Sequence, residues 1–244
     1  MKVNPYILLS LIFLALSLTM KSIPQLDIQV LKFFNTLMFN KTFFSYFTEI
    51  GNGLVCLAVT VPLLSMVSSK TQLNNVKVQT LVFVGLGVGL IVKLLKELTS
   101  LFAVRPGFYE FEDVTYLEPV YLYSSFPSGH AATIFSLFFV WVSLAFRNTK
   151  ISHANLIITV LLIFALLVSL SRVIVAAHWL SDVLGSIALA FVALNAIRFK
   201  VFKNILFESK VAKFSSFFLI GAAWNYICLL YTSDAADERS SVDL

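Results

Sequence analysis

The sequence predicts an all-α, polytopic membrane protein, a six-transmembrane-helix bundle with short interfacial helices. Hydrophobic residues make up 59% of the 244 and charged residues 13%, and mean hydropathy is +0.89. That apolar share exceeds what a soluble domain carries. Long apolar runs recur along the chain, and a helical span needs roughly 20 mostly apolar residues. Basic residues fall in the short links between the runs.

The first run, Tyr6 to Met20, follows Lys2 and is expected to be a retained anchor. A signal peptide has the same basic start and apolar centre, but no small-x-small cleavage site follows. Between Asp27 and Asn40, Ile28, Leu31, Phe34, Leu37 and Met38 recur at helical spacing, which predicts short interfacial helices. Gly51-Asn52-Gly53 reads as a turn. Span two covers Leu54 to Val67 and span three Val78 to Leu95, where Gly85 and Gly89 have the spacing that lets helices approach closely. The longest polar link, Lys96 to Ser128, contains Pro106, Pro119 and Pro127. Spans four to six are expected at His130–Phe146, Leu156–Val175 and Trp179–Ile197. Cys56 and Cys228 are too few for a disulfide framework.

With six spans, Lys2, Lys70/Lys77, Arg147/Lys150 and the cluster Arg198, Lys200, Lys203, Lys210 and Lys213 share one side. The positive-inside rule makes that side cytoplasmic, so the net charge of +5 reads as topology and not as nucleic-acid binding. Residues 1–213 are expected to form one six-span domain. Residues 214–227 form an apolar segment without an assigned place. Residues 228–244 resemble the translation of a transposon adapter used in sequencing libraries and are expected to be a non-native tail.

Three pieces of the chain carry chemistry, and the topology brings all of them to the outer face. Arg172, His178 and Asp182 lie in a strongly apolar region, where ionisable groups persist mainly at functional sites. His178 and Asp182, four apart, share a face on a helix, and an aspartate fixes the tautomer of its imidazole. A structural ion pair fits the same two residues. Lys96 and Arg105 are the second piece. Arg105 precedes Pro106 in a stiff backbone, and its planar fork suits phosphate oxygens. Interfacial snorkelling is the alternative for both cations. The third piece, Phe126-Pro127-Ser128-Gly129-His130, reads as a helix start. Its N–H groups, the Ser128 hydroxyl and the small Gly129 would form an anion-binding corner. His130 stands where it can protonate a leaving oxygen, although a capped helix with an incidental histidine has the same sequence. Together these groups describe a receptor for a phosphate ester. There is no HExxH and no Cys/His set, so neither a metal nor a cofactor is expected.

Pro127-Ser128-Gly129-His130 with Ser171-Arg172-x5-His178-x3-Asp182 resembles the second and third signatures of the type-2 phosphatidic acid phosphatase superfamily. That superfamily includes bacterial membrane enzymes such as phosphatidylglycerophosphate phosphatase B and undecaprenyl pyrophosphate phosphatase, and also vanadium haloperoxidases. The resemblance covers roughly spans two to six. It implies that His178 attacks phosphorus to form a phosphohistidine, that Asp182 orients His178, and that His130 protonates the departing oxygen. Lys96, Arg105, Ser128, Gly129 and Arg172 would hold the phosphoryl oxygens. One departure stands out. The family's first signature has six residues between the lysine and Arg-Pro, and here eight separate Lys96 from Arg105. Two extra residues turn a helix by about 200°, so Lys96 reaches the site only if the link has unwound.

By family analogy the resemblance implies a metal-independent phosphatase of the bacterial inner membrane, its site facing the periplasm or cell exterior. Its partners would be membrane lipids and a lipid phosphate or prenyl pyrophosphate. Undecaprenyl pyrophosphate, phosphatidylglycerophosphate and phosphatidate all fit, with undecaprenyl pyrophosphate or a broad range leading. A vanadate-dependent haloperoxidase and a non-catalytic lipid-phosphate binder or transporter are the competing readings.

Overall fold

Helix starts follow local capping chemistry. The computed structural model describes residues 4–70, 73–117, 119–147, 154–199 and 210–242, and every regular element among them is helical. The expected topology markers Lys2, Lys150, Lys200 and Lys203 lie outside the described residues. Asn4 caps α1 (Pro5–Lys21) by accepting from the Tyr6 N–H at 3.0 Å, with Pro5 at the first helical position. Pro24 opens α2 (Pro24–Asn35), bent 96° from α1. Asn40 caps α3 (Lys41–Glu49) through the Phe43 N–H, and Asn52 caps α4 (Gly53–Val55) through the Leu54 N–H.

A π-helical turn, Cys56–Thr60, joins α4 to α5 (Val61–Lys70). It lies just before Pro62, which has no N–H and crowds the carbonyl four residues back, so the ladder widens there. Then come α6 (Val78–Thr99), a long connector with a 3₁₀ turn at Pro106–Tyr109, α7 (Gly129–Ala145), α8 (Ala154–Ile174), α9 (Leu180–Ala196) and α10 (Lys210–Val242). Where short helices are expected from Asp27 to Asn40, α2 ends at Asn35 and α3 starts just beyond, at Lys41.

α6, α8 and Lys210–Leu229 of α10 are long and apolar enough to cross a membrane. The pairs α1–α2 and α3 with α4–α5 pass the same test as bent spans. α7 and α9 have 17 residues each, or about 26 Å of rise against a hydrocarbon core of about 30 Å. An apolar helix thus stands at each of the six expected positions. The apolar part of α10 starts earlier than the 214–227 segment the sequence suggested.

α7 is the central helix, packed against α6, α8 and α9. Its Ala131, Ala132, Ile134, Leu137, Val140 and Trp141 are fully or nearly fully buried, and the Trp141 indole donates to the Leu64 carbonyl at 2.7 Å. α1 lies along α9. There Ser10 Oγ donates to the Ala188 carbonyl at 3.0 Å, Ser17 Oγ to the Ser181 carbonyl at 2.6 Å, and Asn4 to Asn195 at 2.6 Å. Small residues on α9 allow this approach, as at many membrane helix interfaces. The Gly85/Gly89 pair does not act this way. A Cβ on Gly85 would make only ordinary contacts with Leu57 and Leu137, and one on Gly89 would meet no atom within 4 Å among the described residues.

Gly185 on α9 is where the fold positions the lead-in to α7. A Cβ there would overlap the Phe126 ring, whose backbone continues into Pro127 and Ser128. Overpacking of this kind costs about 1–3 kcal/mol. Gly185→Ala is therefore expected to lower the thermal unfolding midpoint in detergent and to reduce activity, whereas Gly89→Ala should leave both unchanged.

Candidate active site

The site forms where the α8–α9 turn, the start of α7 and the α6–α7 connector meet. α8 closes with the N–H groups of Ala177 and His178 both donating to the Arg172 carbonyl at 3.0 Å. Ala176 takes the left-handed conformation, φ 55°, in this turn. Asn35 of α2 donates to the Ile174 carbonyl at 2.8 Å and braces it. α9 then starts at Leu180 with Trp179 as its cap residue.

His178 therefore precedes the helix that carries Asp182, and a shared helical face does not pair them. Asp182 occupies the third position of α9 and reaches back toward the turn. Its Oδ2 accepts from the Trp179 N–H at 3.1 Å and lies 3.4 Å from His178 Nδ1. The same oxygen accepts a short hydrogen bond from Ser125 Oγ, while Oδ1 meets Lys21 Nζ at 2.6 Å. Asp182 is fully buried and His178 is 1% exposed. A carboxylate removed from water needs such partners to stay charged. With Nδ1 engaged, Nε2 is the ring nitrogen left for a substrate. Burial pushes the His178 imidazole well below its ordinary range; Arg105 and Lys96 push the same way and Asp182 opposes them.

Arg105 takes the extended backbone that a following proline requires, φ −88° and ψ 164°. Its N–H donates to the Leu122 carbonyl at 2.8 Å, and the Ser125 N–H donates to the Ala103 carbonyl at 2.8 Å, so the two ends of the connector run side by side. The guanidinium donates to the Tyr123 and Ala177 carbonyls, at 2.9 and 3.1 Å, and stacks on Tyr121 at 5.3 Å. The Trp179 indole ties the turn to this connector through the Val104 carbonyl at 2.8 Å.

Lys96 sits in the last turn of α6, half-buried, and its charge acts on those of Arg105, Asp182 and Arg172. α6 ends at Thr99 and residues 100–104 are not helical, which is the unwinding that the eight-residue spacing demands. The Lys96 ammonium makes no hydrogen bond or ion pair among the described residues.

Arg172 donates from Nη1 to Thr48 Oγ1 at 2.8 Å, and its Nε has no partner among the described residues. Ser128 is the cap residue of α7, but its buried hydroxyl caps nothing and is unpartnered too. Buried donors without partners are rare; among the described residues the Thr80, Ser136 and Ser169 hydroxyls are in the same state. Gly129 stands at the start of α7, where a Cβ would make only an ordinary contact with Val92 at 3.6 Å. His130 follows it, with Nε2 3.4 Å from Glu49 Oε1. A cavity of about 310 Å³ is lined by Glu49, Arg105, Tyr121, His130, Arg172 and Ala177, among others. His178 is not among its lining residues but directly follows Ala177, which is. Among the described residues no three His, Cys, Asp or Glu side chains gather as a metal site would require.

Several neighbours escaped the sequence reading. Lys21 looked like a charge flanking an apolar run. Glu49 and Asp27 were nevertheless visible as acids in apolar surroundings. Ser125, Thr48 and the Trp179 indole carried no local signal.

A family model described as "PAP2 superfamily" matches residues 77–206. No curated protein matches the chain. Among solved structures, the chain is similar to the transmembrane PAP2-type phosphatidylglycerolphosphate phosphatase from Bacillus subtilis, at 21% identity and TM-score 0.62, covering 84% of this chain and 98% of that one. It is also similar to Aquifex aeolicus LpxE, at 23% identity and TM-score 0.54, covering 70% of this chain and 93% of that one.

The Ser125 hydroxyl is fully buried and donates to a charged acceptor, a bond worth about 1.5–3 kcal/mol. Ser125→Ala is expected to lose stability of that order in denaturant or thermal unfolding, while Ser124→Ala, one residue away, should not.

Proposed function

The chain belongs to the PAP2 superfamily, and from that premise we propose that it is an integral-membrane phosphatase of lipid phosphates or pyrophosphates acting through a phosphohistidine. The observation that carries this reading is the convergence of Arg105, Arg172 and His130 on one cavity, with His178 paired to a buried Asp182 directly behind it. Arg172 Nε on the cavity and Ser128 Oγ at the start of α7 are buried donors with no partner among the described residues.

The chemistry follows from these groups. Lys96, Arg105, Arg172, Ser128 and the start of α7 at Gly129 hold the phosphoryl oxygens and stabilise the charge spread over them. His178 Nε2 forms an N–P bond as the P–O bond to the lipid breaks, and His130 gives its proton to the departing oxygen. Asp182 fixes the His178 tautomer and stabilises the positive ring. Water then attacks phosphorus, giving its proton to His130, the N–P bond breaks, and inorganic phosphate leaves. No step calls on a metal. His178 is 1% exposed, so a substrate reaches Nε2 through a local adjustment of the α8–α9 turn.

Apolar helices at six positions and the basic links Lys77, Arg147 and Arg198 support six spans, with the site on the periplasmic or external side of the bacterial inner membrane. The lipid chain would stay in the bilayer while its head group enters the cavity. Undecaprenyl pyrophosphate leads among the substrates, with phosphatidylglycerophosphate and phosphatidate as the others to compare.

Phosphate release from these three lipids in detergent tests the proposal. His178→Ala is expected to reduce it by about 10⁴-fold and His130→Ala by about 10²–10⁴-fold, with unchanged expression. Activity should survive a chelator and be inhibited by vanadate, and an absolute magnesium requirement would contradict the mechanism. Bromide oxidation dependent on vanadate and peroxide would instead identify a haloperoxidase. Because burial holds His178 neutral into acidic solution, the acid limb of kcat/KM that reports the nucleophile should lie below about pH 6.5, the value for a free imidazole. A limb above pH 7 would show that His178 is not the titrating nucleophile.

A further inference from the structure

The two oxygens of Asp182 face different elements. Oδ2 serves the site, meeting His178 Nδ1, Ser125 and the Trp179 N–H, while Oδ1 is given over to Lys21 Nζ at 2.6 Å. Lys21 is the last residue of α1, 161 positions from its partner, and lies outside the residues the family model matches.

The placement of Lys21 is built on both sides. Ser17, one helical turn earlier on α1, donates to the Ser181 carbonyl at 2.6 Å. After the bend, Asp27 of α2 accepts from the Ser181 N–H at 3.2 Å and from the Ser181 hydroxyl. The residue preceding Asp182 is thus gripped from α1 and from α2, and Lys21 stands between those grips. Its stem crosses the Phe126 ring, with Nζ 5.0 Å from the centroid. An ammonium that merely flanked a span would turn to water; this one is 30% exposed and points inward at a carboxylate with no exposure.

We propose that Lys21 is a positioning residue of the phosphatase site: its ammonium locks the Asp182 carboxylate in the orientation that meets His178 and offsets part of the carboxylate's charge. The role in catalysis rests on the phosphatase reading above, but the pairing itself does not. A carboxylate clamped through one oxygen cannot rotate away from the imidazole. An ammonium at that distance in a water-poor site also weakens the pull of Asp182 on a proton at His178. The remaining charged and titratable groups around His178 are Lys96 from α6, Arg105 from the connector, Arg172 from α8, and His130 of α7 with Glu49 of α3 behind it. Asp27 of α2 acts from beyond Ser181. Apart from Asp182, the charges acting directly on His178 are cationic, so the balance between Lys21 and Asp182 adds to the effect of burial on how readily the ring takes a proton. Removing Lys21 leaves Asp182 uncompensated, and His178 becomes more basic.

The test uses the full chain in detergent with ¹³C-labelled histidine. The sequence has three histidines, so single substitutions of His130, His153 and His178 assign the signals. Lys21→Met is expected to move the His178 midpoint upward by about one pH unit, a tenfold gain in proton affinity. In phosphate-release assays it should lower kcat 10- to 100-fold with KM within twofold and carry the acid limb of kcat/KM upward with the midpoint. Lys21→Arg should restore both midpoint and kcat. If Lys21→Met is not recovered folded, Lys21→Gln carries the same measurements. An unmoved His178 midpoint, or a fall in kcat with an unmoved acid limb, overturns the proposal and leaves Lys21 a packing residue. If the unaltered protein releases no phosphate from any lipid phosphate, the phosphatase reading fails, while the histidine titration still decides whether Lys21 governs His178.

Discussion

A fully buried carboxylate is the constraint the rest of the structure answers to. Asp182 has no solvent exposure, and an ionised carboxyl in such a place is held only by donors arranged around it. Ser125, the Trp179 N–H, His178 and Lys21 supply them. They come from three parts of the chain, so satisfying one side chain fixes the α1 terminus, the connector and the α8–α9 turn relative to one another. The small residues of α9 follow from the same requirement. Gly185 admits the Phe126 ring, and Ser186 holds the Ser128 carbonyl at 2.9 Å.

The region matched by the family model, 77–206, contains every group proposed to touch phosphate or to carry the reaction. Residues before it supply a layer that orients those groups. Thr48 takes Arg172, Glu49 approaches His130, and Asn35 and Asp27 brace the turn and Ser181. Gly51 shows how tight this layer is, since a Cβ there would come within 2.9 Å of the His130 Cβ. α1 to α3 therefore set the geometry of a site to which they contribute no phosphate ligand.

The helices and the charged groups that line the cavity were legible in the sequence because each leaves a local mark. Apolar runs placed six helices within a few residues, and Pro-Ser-Gly-His marked the start of α7. The long-range partners were not legible. Nothing near Lys21 indicates that it faces Asp182 and not the membrane surface, because that depends on the bend between α1 and α2. The i, i+4 spacing of His178 and Asp182 suggested the right contact for the wrong reason: a helix cap brings them together, and no helical face does. The eight residues between Lys96 and Arg105 include the end of α6 at Thr99, a boundary that the spacing alone does not place. Gly85 and Gly89 matched a packing motif that this bundle does not use.

The central claim is that His178, oriented by Asp182, takes the phosphoryl group. The most direct measurement is rapid base quenching of the enzyme with a ³²P-labelled lipid phosphate, followed by peptide mapping of the labelled residue. The account predicts a base-stable, acid-labile label on His178, absent in His178→Ala. A label on His130, or turnover with no labelled protein at any quench time, would contradict it.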